Sequence, residues 1–258
     1  MGNAYLGNFA GGAAVLLCRP IPGGGMMSVD EAAGGRWCRL LPLAITRVDA
    51  HCGCVGAITD DGAWVRPEPV MIGDVVAGDS PYRYARWTDA LLAPSKAANP
   101  RPEDRALIAA DRSPAPGPRL PRTEWLPFMV RYLDADVASA FAGQRSLGLV
   151  EIAARRLYVG CSTAGRRFVR VEFSDAAGAI YDWIVPDLRF TAGFWALIQS
   201  GTSEDDTSSR LLARLTAERT FFAIGLTTPN DRFPGKFRGC HPLVVGVHCA
   251  ADATLGRP

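Results

Sequence analysis

The stretch Cys54-Val55-Gly56-Ala57-Ile58-Thr59-Asp60-Asp61-Gly62-Ala63-Trp64-Val65-Arg66-Pro67 constrains this chain more than any other. Two β-leaning runs flank Asp61-Gly62, and that dipeptide supplies the positive φ angles of a tight type I′ hairpin turn. The run from Leu43 to Asp49 ahead of it is also strand-like, though Thr46-Arg47 breaks its apolar/polar alternation. The reading is three antiparallel strands. Such a hairpin fixes an architecture and names no reaction.

The rest of the chain divides by composition. Residues 1–40 are rich in Gly and Ala and read as a flexible N-terminal extension, with Met26 or Met27 as alternative starting residues. Residues 78–124 are dense in proline and arginine without sustained periodicity, which predicts a long insert, mobile over most of 95–120. Asp136 can cap a short helix over 137–141. Strands are predicted at 147–152, 157–160 and 167–173, and 179–185 returns as a second hairpin. Helices are expected after Pro186-Asp187 and through Leu211, Leu212 and Leu215, with 205–208 offering caps. Two more strands, 220–226 and 242–248, end the pattern.

Short antiparallel strands with long inserts and few helices predict a mostly β fold with minor α: two antiparallel barrels with covering helices. The first would span 41–145 with the insert 78–124. The second would span 146–250 with a helical insert at 187–218. No glycine-rich phosphate loop follows any strand, which disfavours P-loop and dinucleotide-binding enzymes.

The net charge of +2 is too small to mark a nucleic-acid binder by itself. Its basic residues are nearly all Arg, the better fork for phosphate and carboxylate, although an Arg- and Ala-rich composition also follows from a GC-rich genome. No apolar run approaches the roughly 20 residues of a membrane span. Residues 1–25 lack the basic start of a secretory signal, so the expectation is a cytoplasmic protein with no membrane partner. The 7 cysteines are odd in number and irregularly spaced, which favours free thiols or a metal site over a disulfide framework.

Two constellations could carry chemistry. His51-Cys52-Gly53-Cys54 at the front faces Cys240-His241 and His248-Cys249 at the back, and these hold all 3 histidines of the chain. Thiolate and imidazole are the ligands zinc prefers, so Cys52, Cys54, Cys240 and His241 form a candidate zinc site, and with it a small metal-dependent enzyme. The competing reading packs the cysteines as small hydrophobes. Cys240 with His241 could act as a nucleophile and base only if the pair lies on a loop, since strand neighbours face opposite sides, and for Cys161 in a loop no acid–base partner can be assigned. The second constellation is Trp64, Arg66, Arg167, Arg170 and Tyr181, with Phe168 and Trp183 near them. Aromatics that stack bases and arginines that hold phosphates on one sheet face would bind single-stranded nucleic acid or a nucleotide. The competing reading makes these aromatics core and the arginines solvated.

Taken in order, the motifs resemble the dual OB-fold domain family of prokaryotic proteins. The resemblance runs in patches from Leu43 to His248. It rests on Cys54-Val55-Gly56 with Gly62-Ala63-Trp64-Val65-Arg66-Pro67, on Ser146-Leu147-Gly148-Leu149-Val150, and on Tyr181-Asp182-Trp183-Ile184-Val185-Pro186-Asp187. It ends with Phe222-Ala223-Ile224-Gly225-Leu226 and Cys240-His241-Pro242-Leu243-Val244-Val245. The resemblance implies OB-like barrels, nucleic-acid or nucleotide binding and partner proteins, and it carries over no catalytic residues. A protein-interaction scaffold is the remaining alternative.

Overall fold

A computed structural model describes residues 35–95, 101–109, 113–231 and 234–250. Most of the expected N-terminal extension, the choice of starting methionine and part of the 95–120 segment lie outside these residues. Strand is the main element throughout, and no described helix is long and apolar enough to cross a membrane.

The first sheet contains β1 (Arg36–Arg47), β2 (Cys52–Thr59), β3 (Trp64–Glu68), β4 (Val70–Met71), β5 (Arg86–Leu92), β6 (Asp104–Ala106) and β7 (Ala115–Arg119), with the short helix α1 (Gly73–Val76) after β4. Its order is β6-β3-β2-β1-β5-β7, with β4 beside β2, and every pairing is antiparallel except β3 with β6. β1 lacks alternation because it is buried on both faces. Leu40 packs with Val55, Val65 and Tyr82 on one side, while Leu41 and Leu43 pack with Trp125 and Phe221 on the other. The register slips between Pro42 and Ala44, next to the proline that has no N–H to give the ladder. β1 already starts at Arg36, inside the span expected to be an extension.

The 78–124 span is likewise no structureless insert, because β5 pairs with β1 from Arg36↔Leu92 to Leu40↔Thr88. Its burial alternates along Thr88, Ala90 and Leu92, a period that the surrounding prolines hide from a composition-based reading. β7 carries two prolines and sits at the sheet edge, where a missing donor is tolerated.

Helix α2 (Arg122–Arg131) follows, then α3 (Val137–Ala140), where the Asp136 carboxylate caps as expected by accepting from Ser139 N at 2.6 Å. The second sheet comprises β8 (Leu147–Cys161), β9 (Arg167–Asp175), β10 (Ile180–Ile184), β11 (Thr220–Leu226) and β12 (Pro242–Cys249). The helices α4 (Leu188–Gln199) and α5 (Glu204–Ala217) lie between β10 and β11. The two strands expected at 147–152 and 157–160 are one strand, bent by a register shift between Ala154 and Arg156. Asp187 caps α4, whereas the α5 cap is Ser203, two residues earlier than expected.

The expectation of two barrels is corrected. The first sheet is open; the second runs β10-β12-β11-β8-β9, with β9 returning to β10 through an antiparallel ladder from Ile180↔Ser174 to Ile184↔Arg170, while β10 meets β12 at a single parallel pair, Ile184 with Leu243. The two sheets also share one core: Leu41, Leu43 and Ile58 from the first, Trp125 and Met129 from α2, and Leu149, Phe221 and Ala223 from the second.

Glycine makes the junction possible at one point. A Cβ on Gly246 of β12 would lie 1.9 Å from the Leu43 carbonyl oxygen of β1. Gly246→Ala is therefore expected to push the sheets apart and reach the upper end of the about 1–3 kcal/mol typical of overpacking. A fall in the urea midpoint would show it.

Candidate functional site

Between the hairpin of the first sheet and the start of the second lies a cleft of about 450 Å³, lined by Gly62, Trp64, Pro102, Glu103, Arg131, Tyr132, Leu133, Asp134 and Arg145. Its size falls in the range of small-molecule sites, roughly 300–1,000 Å³. Trp64 arrives from the start of β3. The hairpin turn differs in kind from the expected one. Only Gly62 is left-handed, at φ +92°, while Thr59 N donates to Ala63 O at 2.9 Å and the Thr59 hydroxyl donates to the Asp61 carboxylate. Gly62 also serves the cleft directly, because a Cβ there would come within 2.9 Å of the Tyr132 ring.

The opposite wall is the end of α2 and the residues after it. Trp125 and Met129 bury the inner face of α2, which turns Arg131 and Tyr132 towards the cleft mouth. The Tyr132 ring packs on Phe128 with centroids 4.8 Å apart, and Phe128 meets Trp87 edge-on at 6.0 Å. The Arg131 guanidinium sits 5.8 Å from the Tyr132 ring centre. Arg145 is committed to Asp134 through two bonds of 2.6 and 3.1 Å, and Asp134 also accepts from Leu149 N at 3.0 Å. Arg131 makes no ion pair among the described residues and is the cleft's available cation. The lining has no Cys, Ser, Thr, His or Lys; its ionisable groups are Glu103, Arg131, Tyr132, Asp134 and Arg145.

A buried charge network backs the cleft. Arg66, 2% exposed, donates to Asp104 Oδ1 at 2.6 Å and to the Ser146 hydroxyl. Arg101 bridges Asp104 (2.9 Å) and Glu68 (2.7 Å). The Glu103 carboxylate accepts from Ser146 N at 2.7 Å and from the Ser146 hydroxyl at 2.6 Å. These bonds run from β3 and β6 to the start of β8, so they fix the two sheets against each other where the cleft opens.

Of the residues singled out from sequence, only Trp64 lines the cleft. Arg66 is not an exposed phosphate contact but a buried member of the network just described. Arg167 pairs with Glu204 and lies 5.1 Å over the Trp195 ring, fastening β9 to the helices. Arg170 donates to the Tyr158 hydroxyl and to Asp182, both at 3.0 Å. The Tyr181 hydroxyl donates to Asp175 at 3.1 Å, and its ring packs on Phe173 and Trp183. These three residues belong to β9 and β10 and do not meet Trp64 at one site.

The zinc ligands do not converge either. Among the described residues, no three His, Cys, Asp or Glu side chains are grouped so as to hold a metal. Cys52 and Cys54 sit on β2, opposite Met71 and Thr46. Cys240 precedes β12, and β12 pairs with β11 and β10 in the other sheet. The two pairs belong to separate sheets, and although Cys54 and Cys240 both feel the charges of Arg66 and Arg101, they are not joined there by a third ligand among the described residues. Burial raises the thiol pKa of both Cys54 and Cys240, which makes them poor thiolates. His248 is a junction residue: its Nε2 lies 2.7 Å from the Leu43 carbonyl oxygen and its ring packs edge-on against Tyr84 and Trp125.

Sequence reasoning missed Arg131, Tyr132 and Arg145. The signal was the apolar spacing Trp125, Phe128, Met129 and Tyr132, a helix period that Pro127 interrupts. No family model matches the chain, and no curated protein matches it.

Proposed function

We propose that this protein is a binding module whose cleft takes a nucleotide-like ligand, a planar base joined to an anionic group. The observation that carries this reading is the presence of two aromatic rings, Trp64 and Tyr132, and one unpaired cation, Arg131, around a single cleft of ligand size. A base stacks on either ring whatever its identity, and the Arg131 fork receives the phosphate. The network behind Glu103 and Arg66 keeps the walls in place, so little ordering accompanies binding. The same reading takes the two halves as OB-like and the chain as a relative of the dual OB-fold family. The hairpin and the antiparallel strands β8, β9, β11 and β12, which turn back towards β10, support that view.

Adenosine monophosphate and a short oligothymidine, titrated against tryptophan fluorescence at about 50 mM salt, where phosphate contacts are strong, test it. Saturable quenching by the nucleotide is expected. Trp64→Ala should weaken binding about 5- to 150-fold, the equivalent of about 1–3 kcal/mol of stacking. Tighter binding of the oligomer would extend the site to single strands. No quenching by either probe would end the proposal.

A further inference from the structure

The geometry points to a second binding site, between α4 and α5, for a small anionic amphiphile: one carboxylate on a single apolar chain. A cavity of about 490 Å³ opens there, lined by Phe190, Leu197, Leu211, Leu215 and Val247, with Arg189, Arg210 and Arg214; the lining holds no acidic side chain, although the buried Asp187 carboxyl lies close to Arg189 outside it. The lining falls on one face of each helix. On α4 it includes Arg189, Gly193 and Leu197, spaced by four. On α5 it pairs Arg210 with Arg214 and Leu211 with Leu215, again spaced by four.

Two features go against what helix stability alone would select. Gly193 stands in the middle of α4, where glycine weakens a helix relative to alanine. A Cβ at this position would meet no atom within 4 Å, so packing does not require glycine. What the missing side chain leaves is the floor of the cavity. Arg210 and Arg214 are like charges one turn apart, an unfavourable spacing in a bare helix, and Arg210 makes no ion pair among the described residues. Arg189 is fixed at the inner end, its guanidinium 4.4 Å over the Tyr84 ring and donating to the Val247 carbonyl. The exposed Arg210 guanidinium at the edge of an apolar floor complements an anionic head on an apolar tail, and its fork matches a carboxylate. This site shares no lining residue with the nucleotide cleft, so either can fail without the other.

Isothermal titration of the full chain with decanoate is the test. Saturable binding of one decanoate per chain is expected, with markedly weaker binding of uncharged 1-decanol. Gly193→Leu, whose side chain enters open space, should keep the melting temperature and abolish binding. Arg210→Gln, at an exposed position, should weaken binding about tenfold, the scale of one charge-assisted hydrogen bond. If Gly193→Leu lowers the melting temperature, Arg210→Gln and 1-decanol decide alone. No saturable binding of decanoate, equal binding of decanoate and 1-decanol, or unchanged binding in Arg210→Gln would overturn the proposal.

Discussion

Arg66→Ala is expected to remove about 3–5 kcal/mol of folding stability, the loss seen when one partner of a buried ion pair is deleted. Arg66 is 2% exposed, and its guanidinium is the 2.6 Å partner of Asp104. Without it, Asp104 loses its 2.6 Å partner and keeps the Arg101 contact, and the Ser146 hydroxyl loses a donor while still bound to Glu103. Equilibrium urea unfolding reads the effect. A loss below about 1 kcal/mol, typical of solvated surface pairs, would mean that water reaches this network. Replacing Arg66 and Asp104 together by apolar residues of similar volume should recover much of the loss, because no unpaired charge is then buried.

Mild acid should weaken the protein through one histidine. His248 is fully buried between the sheets, and burial together with the nearby Arg189 holds its pKa at about 3. In the unfolded chain the same group accepts a proton near pH 6.5. The stability that the neutral ring contributes is therefore whole above pH 6.5 and is lost as pH falls from there towards 3. At about 1.4 kcal/mol per pH unit, moving from pH 7 to pH 5 should remove about 2 kcal/mol. The carboxyl pKa values of Asp49, Asp61, Asp136 and Glu151 are held down, so these groups act at lower pH. Burial raises those of Asp187 and Glu68, which act in the opposite sense. The diagnostic quantity is thus the difference between the natural chain and His248→Gln, whose amide can still donate to Leu43 O. That difference should shrink by about 2 kcal/mol between pH 7 and pH 5. A pH-independent difference would place the imidazole in contact with solvent.

What could be read from the sequence was whatever depends on neighbours in the chain. The period-two pattern of 167–173 became β9, the apolar run at 220–226 became β11, and Asp136 and Asp187 cap the helices they precede. Trp64 was marked as a stacking residue and does line the cleft. What failed depends on partners far along the chain. Arg66 looks like a phosphate contact until Asp104, 38 residues later, is placed beside it. The strand β5 is hidden among prolines because its pairing comes from β1, which itself reads as too apolar for alternation. The cleft's far wall stayed hidden because Pro127 masks α2, and with it the position of Arg131 and Tyr132. The four residues read as zinc ligands are not grouped as such among the described residues, since Cys52 and Cys54 lie on β2 and Cys240 ahead of β12.

Whether the cleft between Trp64 and Tyr132 holds a base is decided by photolabelling the full chain with 8-azidoadenosine monophosphate and mapping the adducts by mass spectrometry. Adducts are expected on the peptides carrying Trp64 or Tyr132, suppressed by excess unlabelled nucleotide. Competed labelling confined to the β9 and β10 peptides around Arg170 and Tyr181 would contradict that expectation.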